Sequence, residues 1–289
     1  MPVANEVITS LATNNSYTMG QFIGEGHFGV VYACTDVWKN NLAAKVLKAS
    51  RRPYDDVKAA AEAEFGNLLA LRHPNITYVF DAFEFRDTFY IITERCDFPL
   101  TNLFSLANFN GTVWLMPIAR CLLQAIHYLH LRQHAHQDIH PGNIFVSFTK
   151  DELMPAGPGS ICFKLGDLGI ARVFSELDAA NTLAEWMRPP EALDPQAFGQ
   201  MDHRIDIYHS GLLLLQLARS QQLQFSRQEI LSGRPRELAL TLQAPYNFAL
   251  EKALRRHVAV RTETAMELWR DLNSPADMPP FQAVPLDGG

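Results

Sequence analysis

Residues 21–36 read QFIGEGHFGVVYACTD, and the fold turns on the residues just after their three glycines. Gly24, Gly26 and Gly29 stand in the spacing G-x-G-x-x-G. In a parallel α/β sheet the third glycine of that pattern opens a helix, and a pyrophosphate rests on its first turn. Here the chain continues Val30-Val31-Tyr32-Ala33-Cys34-Thr35, a β-branched and aromatic run that suits a strand. The glycines are therefore expected at the tip of an antiparallel hairpin, where backbone N–H groups can approach phosphate without a Cβ in the way. A plain glycine hairpin with no ligand explains this motif, taken alone, equally well.

Further strand patterns come after it: NLAAKVLKA at 41–49, ITYVFDAFEF at 76–85 and TFYIITE at 88–94. Turn residues Lys39-Asn40-Asn41 and Arg86-Asp87 separate them, as in an antiparallel sheet. One helical stretch, about 55–71, interrupts the strands and stops at Arg72-His73-Pro74, because the residue before proline is pushed out of the helical region. Beyond Cys96 the period changes. Leu115, Ile118, Ala119, Leu122, Ile126 and Leu129 recur at helical spacing, as do Ala265, Leu268, Trp269 and Leu272 behind a Thr264-x-x-Glu267 capping box. The pattern predicts an α+β fold, mostly β first and mostly α afterwards. Expected boundaries are an N-terminal extension over 1–16, a β-rich part over 17–95, a helical part over 96–273 and a proline-rich tail over 274–289.

At 47% hydrophobic and 19% charged, the chain has the means to bury a large core. A formal net charge of −6 leaves no basic footprint for nucleic acid or for an anionic membrane, so neither is expected as a partner. Cys34, Cys96, Cys121 and Cys162 are scattered, with no C-x-x-C pair, which argues against a disulfide framework or a zinc knuckle. With no signal-like N-terminus and no apolar run long enough to span a bilayer, a reducing, cytoplasmic setting is expected.

Lys45 is embedded among apolar residues in Leu42-Ala43-Ala44-Lys45-Val46. A half-buried ammonium needs a partner, and Glu64 on the intervening helix is a candidate; snorkelling of Lys45 to solvent is the plain alternative. Asp138 is followed five residues later by Asn143, and Asp167 stands between an apolar run and Gly169. Two carboxylates and a carboxamide supply one base and two hard oxygen ligands, a set that suits Mg²⁺ on nucleotide phosphates. His127, His130, His134, His136 and His140 crowd the same region, but no H-E-x-x-H or E-x-x-H spacing favours zinc.

Taken in order, these residues resemble the signature set of the eukaryotic-type protein kinase superfamily. The glycine loop matches, and Ala43-Ala44-Lys45 resembles V-A-I-K. His136-Gln137-Asp138 with Asn143 is similar to H-R-D-x-x-x-x-N, and Asp167-Leu168-Gly169 to D-F-G. Pro189-Pro190-Glu191 resembles A-P-E, Asp206-Ile207-Tyr208-His209-Ser210-Gly211 resembles D-x-W-S-x-G, and Arg261 matches the late arginine that pairs with the A-P-E glutamate. The resemblance covers about 22–272 and implies a bilobal kinase fold, a small antiparallel β lobe with one key helix and a larger α lobe.

It further implies ATP and Mg²⁺ as cofactors and a protein hydroxyl, serine or threonine rather than tyrosine, as acceptor. Lys45 would hold the α- and β-phosphates and Glu64 would fix Lys45. Asp138 would orient and deprotonate the acceptor, with Asn143 and Asp167 on the metal. Gly24, Gly26 and Gly29 would cover the phosphates, and Val31, Ala43 and Phe145 would enclose the adenine. Glu94 to Cys96 would be the hinge behind gatekeeper Thr93. Leu68, Val79, Leu168 and His136 would stack as a hydrophobic spine on the helix beginning near Asp206.

Two departures are chemical. Gln137 replaces the arginine that grips a phosphorylated activation segment, so activity is expected without phosphate on Ser175 or Thr182. His140 replaces the usual lysine two residues after the aspartate and is counted among the catalytic residues. A longer insertion at about 149–160 reads as a surface loop. The loop HxDxHPGN is also similar to that of aminoglycoside and choline kinases, which makes a small-molecule phosphotransferase the second reading; a pseudokinase binding module is the third.

Overall fold

The computed structural model describes residues 2–25, 29–47, 69–150, 153, 159–168, 172–174, 177 and 187–274. Gly26, Glu64, Leu68, Gly169, Ser175, Thr182, nearly all of the expected 55–71 helix, most of the 149–160 insertion and the tail beyond 274 lie outside the described residues. The described residues fall into two compact units, one from Met1–Pro99 with Phe145–Gly169, the other from Leu100–Ile144 with Ile170–Gly289.

The first unit is built on a six-stranded antiparallel sheet of β1 (Val7–Thr9), β2 (Ser16–Glu25), β3 (Gly29–Thr35), β4 (Asn41–Leu47), β5 (Val79–Phe85) and β6 (Thr88–Glu94), in the order β1-β2-β3-β4-β6-β5. The glycine stretch lies between paired strands, Glu25 facing Val30, so the hairpin reading stands and the strand-to-helix reading does not. Gly29 is required by packing, since a Cβ there would lie 2.4 Å from the Val46 carbonyl oxygen.

Local chemistry makes the turns. At the β3–β4 turn the Asp36 carboxylate accepts from the Trp38 and Asn40 amides, both at 2.9 Å, and Lys39 takes φ +64°. Arg86 and Asp87, at φ +48° and +56°, form the two-residue turn whose twist matches the flanking strands.

Ile8, Tyr17, Met19, Cys34, Leu42, Ala44, Val46, Phe83, Tyr90 and Ile92 pack as a core cluster on one side of the sheet. Ile8 belongs to the 1–16 stretch expected as an extension, which instead supplies edge strand β1. Buried Asp81 ties that stretch down, accepting from Thr13 Oγ1 at 2.6 Å and Tyr17 Oη at 3.1 Å. Strand Ile144–Thr149 pairs with Ser160–Leu165 on one side and with Phe98–Pro99 on the other, and 145–169 falls with the β-rich unit and not with the helical one.

In the second unit, helix Gly111–Leu131 buries the predicted stripe of Leu115, Ile118, Ala119, Leu122, Ile126 and Leu129. Helix Arg204–Arg219 is buried from Ile205 to Leu217. Helix Ala265–Leu272 starts at Thr264, whose side chain accepts from the Glu267 N–H at 3.1 Å, but Glu267 reaches back to the Glu263 N–H at 3.0 Å, so the predicted box closes one residue early. A full capping box occurs at Ser226 and Glu229.

Candidate active site

Strand alternation sorts the first unit's candidates onto one face of the sheet. Directly paired residues point the same way, and Val31 faces Lys45, Ala33 faces Ala43, and Ala43 faces Thr93. Val31, Ala43, Lys45 and Thr93 therefore share the face opposite the core cluster. Lys45 Nζ lies 2.5 Å from Asp167 Oδ1, with the two side chains 15% and 26% exposed. Asp167 sits at φ +56°, a left-handed conformation that Asp tolerates better than most residues. Phe145 lies against the backbone ahead of it: a Cβ on Gly166 would come within 2.5 Å of the Phe145 ring. At Gly24 an added Cβ would meet nothing within 4 Å, so the fold itself does not demand that glycine.

Glu94 works through its side chain as well as its backbone. Its N–H donates to the Tyr78 carbonyl at 2.9 Å, while its carboxylate takes the Tyr78 N–H at 2.7 Å and Lys164 Nζ at 2.8 Å. Among the described residues, no backbone hydrogen bond uses the Cys96 N–H or carbonyl, which leaves that pair open to a ligand. Burial, and then the neighbouring Glu94 charge, push the Cys96 thiol up to about 12, so it is protonated and not a nucleophile.

In the second unit Asp138 is buried, and Asn143 Nδ2 donates to both its carbonyl and its carboxylate Oδ2, at 2.9 Å each. Asn143 keeps its own amide oxygen without a hydrogen-bond donor among the described residues, as Asp167 keeps Oδ2. Each is a hard oxygen of the kind that Mg²⁺ prefers. The Gly142 N–H donates to His140 Nδ1 at 3.0 Å. The neutral ring therefore carries its proton on Nε2, which stands 3.6 Å from Asp138 Oδ2. Burial alone would raise the Asp138 carboxyl, but the pull of His140, His136 and His209 outweighs it and holds the group below its ordinary value.

The loop carrying Asp138 hangs on a single buried carboxylate. Asp206 accepts from the His136 and Gln137 N–H groups at 2.8 Å each and from His130 Nε2 at 2.9 Å. Burial would raise Asp206, and those bonds with the His130 field leave it lowered. Gln137, fully buried, takes φ +67° to present its amide. One turn further along the same helix, His209 Nε2 donates to the Met187 carbonyl at 2.9 Å. Glu191 and Arg261, both fully buried, form two parallel bonds of 2.6 Å.

The histidines that crowd the sequence thus take separate partners: Asp206 for His130, the Arg132 carbonyl for His134, and the Gly142 amide for His140. Of the expected spine, Val79, Leu168 and His136 are each buried. Lys164 and Asn75 were not singled out by the sequence, although Lys164, in an apolar strand two residues before Gly166, gave the same signal as Lys45.

A family model described as the protein kinase domain matches residues 17–272. Cyclin-dependent kinase 2 of Caenorhabditis elegans is 28% identical over 209 residues, covering 70% of this chain and 53% of that protein. Cyclin-dependent kinase D-1 of Arabidopsis thaliana is 28% identical over 213 residues, covering 70% and 48%. The chain spans about half the length of these curated relatives. A crystal structure of the Mycobacterium tuberculosis PknI kinase domain, a double mutant, superposes with a TM-score of 0.66 at 21% identity, covering 94% of this chain and 98% of that one, a likeness of fold. Among the described residues, no helix is long and apolar enough to cross a membrane.

Proposed function

This chain belongs to the protein kinase family, and from that premise we propose that it transfers the γ-phosphoryl group of Mg·ATP to a serine or threonine hydroxyl of a protein. The observation that carries the reading is the pair of bonds from Asn143 to Asp138, which hold a buried carboxylate of lowered pKa where it could serve as a base.

Asp138 would take the acceptor's proton on its carboxylate, oriented by Asn143. Lys45, and by resemblance Glu64 as its support, would bind the α- and β-phosphates, and Gly24, Gly26 and Gly29 would let backbone amides approach them. Val31, Ala43 and Phe145 would enclose the base, with the carbonyl of Glu94 and the backbone of Cys96 for its polar edge. Asn143 and Asp167 would hold Mg²⁺, which, when bound, neutralises phosphate charge during transfer. His140 Nε2–H would donate to the transferred group, in the place where a lysine would bring a fixed charge.

Gln137 supports activity without a phosphorylated segment: Asp206 anchors its backbone, and its side chain carries no charge to receive phosphate.

A second reading, a small-molecule phosphotransferase, rests on the likeness of the HxDxHPGN loop to that of aminoglycoside and choline kinases. Assays with Mg·ATP on casein and myelin basic protein, beside aminoglycosides and amino alcohols, separate the two. Label in protein alone supports the kinase reading, and label in a small molecule alone replaces it. A chain that binds no Mg·ATP in a thermal-shift assay would be neither.

A further inference from the structure

Two strands of the first unit lead to groups assigned above to different parts of the nucleotide. β6 ends at Glu94, beside the open backbone of Cys96, and strand Ser160–Leu165 runs into Asp167. Lys164 joins them, its Nζ 2.8 Å from each Glu94 carboxylate oxygen, with the two side chains 17% and 23% exposed.

Further hydrogen bonds close the ring. Tyr78 and Glu94 exchange bonds at 2.7 and 2.9 Å. The segment leading to Tyr78 is laced to the other strand: the Leu165 N–H donates to the Asn75 carbonyl at 2.8 Å, the Thr77 N–H to the Leu165 carbonyl at 2.9 Å, and Asn75 Nδ2 to the Phe163 carbonyl at 3.1 Å. These bonds set the spacing of the strands whatever residue stands at 164. What Lys164 adds is the orientation of Glu94: among the described residues, two of the three hydrogen bonds on that carboxylate come from the lysine. Without them the carboxylate keeps one amide and turns toward water, and the chain through Arg95 to Cys96 loses its brace.

We infer that Lys164 is a positioning residue for nucleotide binding, its ion pair with Glu94 holding the base-facing stretch 94–96 in register with Asp167. This rests on the kinase reading of the same site. Lys164 touches no reacting atom in this scheme, so its effect belongs in affinity and not in the chemical step.

The test compares wild type with Lys164→Met, Lys164→Gln and Lys164→Arg, measuring ATP binding at equilibrium, KM for ATP, kcat on one protein substrate and the melting temperature. The neutral variants are expected to weaken ATP binding and raise its KM by about three- to tenfold, the scale of a partly buried ion pair, with kcat within about twofold of wild type. Lys164→Arg, which can span the same carboxylate, restores the affinity. ATP affinity unchanged in both neutral variants overturns the inference, whatever happens to the melting temperature, and so does a fall in kcat at constant KM. A wild type that binds no ATP overturns the kinase reading and this inference with it.

Discussion

Asn143 holds Asp138 twice, through the carbonyl and through the carboxylate, with one amide nitrogen at 2.9 Å from each. A side chain fixed at both ends keeps its carboxylate aimed without help from substrate. Asn143→Ala should lower kcat by about 10²- to 10³-fold, and Asp138→Asn by about 10³-fold or more, the range for a lost general base. Asp138→Asn keeps an oxygen for Asn143 and should melt within about 1 kcal/mol of wild type, consistent with a near-isosteric change. Turnover by Asn143→Ala at the wild-type rate would count against the assignment.

The pH behaviour is set by the signs of the shifts. Asp138 lies below its ordinary value, so it stays ionised through mildly acidic solution, and its protonation limits kcat only below about pH 4. An acid limb closer to neutrality would belong to a group other than Asp138.

Stability has its own profile. Burial lowers His209 in the folded chain, so as the pH falls below about 6.5 the unfolded chain takes up the proton first and stability declines. Asp206, also lowered, contributes fully above about pH 4, and its contribution is lost as the pH falls through its folded value. Melts of wild type and His209→Gln should diverge in slope between about pH 6.5 and 5, with the variant flatter. Parallel curves would remove His209 from the explanation.

Asp167 combines a left-handed backbone with the ion pair to Lys45. Asp167→Asn suits that conformation, while Asp167→Val adds strain of about 1–2 kcal/mol. Both should abolish Mg²⁺-dependent transfer, and the valine variant should melt lower. Equal melting temperatures would show that the backbone there relaxes.

The ion pair of Glu191 and Arg261 is fully buried and has no part in the proposed chemistry. Removing one partner strands a charge, and Arg261→Met should destabilise by about 3–5 kcal/mol. KM for ATP should be unchanged at a temperature where the variant is folded. A shift in that KM would tie the pair to nucleotide binding.

Gln137 leads to a prediction about regulation. Phosphatase-treated protein should retain its turnover, checked by mass spectrometry at Ser175 and Thr182. Inactive protein that recovers on rephosphorylation contradicts the expectation.

The features legible in the sequence were periodic or ordered. β-type runs between turn residues gave the strands that carry Val31, Ala43 and Lys45, helical spacing gave the buried stripe from Leu115 to Leu129, and the order of the motifs gave the family. Edge strand β1 stayed hidden because Val7–Thr9 is three residues long and set among polar neighbours, and its place in the sheet shows only in its pairing with β2 and in the bonds from Ser10 and Thr13 to distant Asp81. The placing of 145–169 with the β-rich unit depends on pairing between distant strands, which no local pattern encodes. Lys164 escaped notice because its partner, Glu94, lies 70 residues away along the chain. The tautomer of His140 is set by one backbone amide, that of Gly142, and is a property of the folded loop.

Asp138 is proposed as the base through which this chain phosphorylates protein. The direct measurement is transfer of label from γ-labelled Mg·ATP into protein by wild type and Asp138→Asn, at matched concentrations and with ATP binding confirmed for both. Label on serine or threonine with wild type, reduced about 10³-fold or more in the variant while ATP binding persists, is the expected result. Equal labelling by the two proteins, or none by a wild type that binds Mg·ATP, contradicts it.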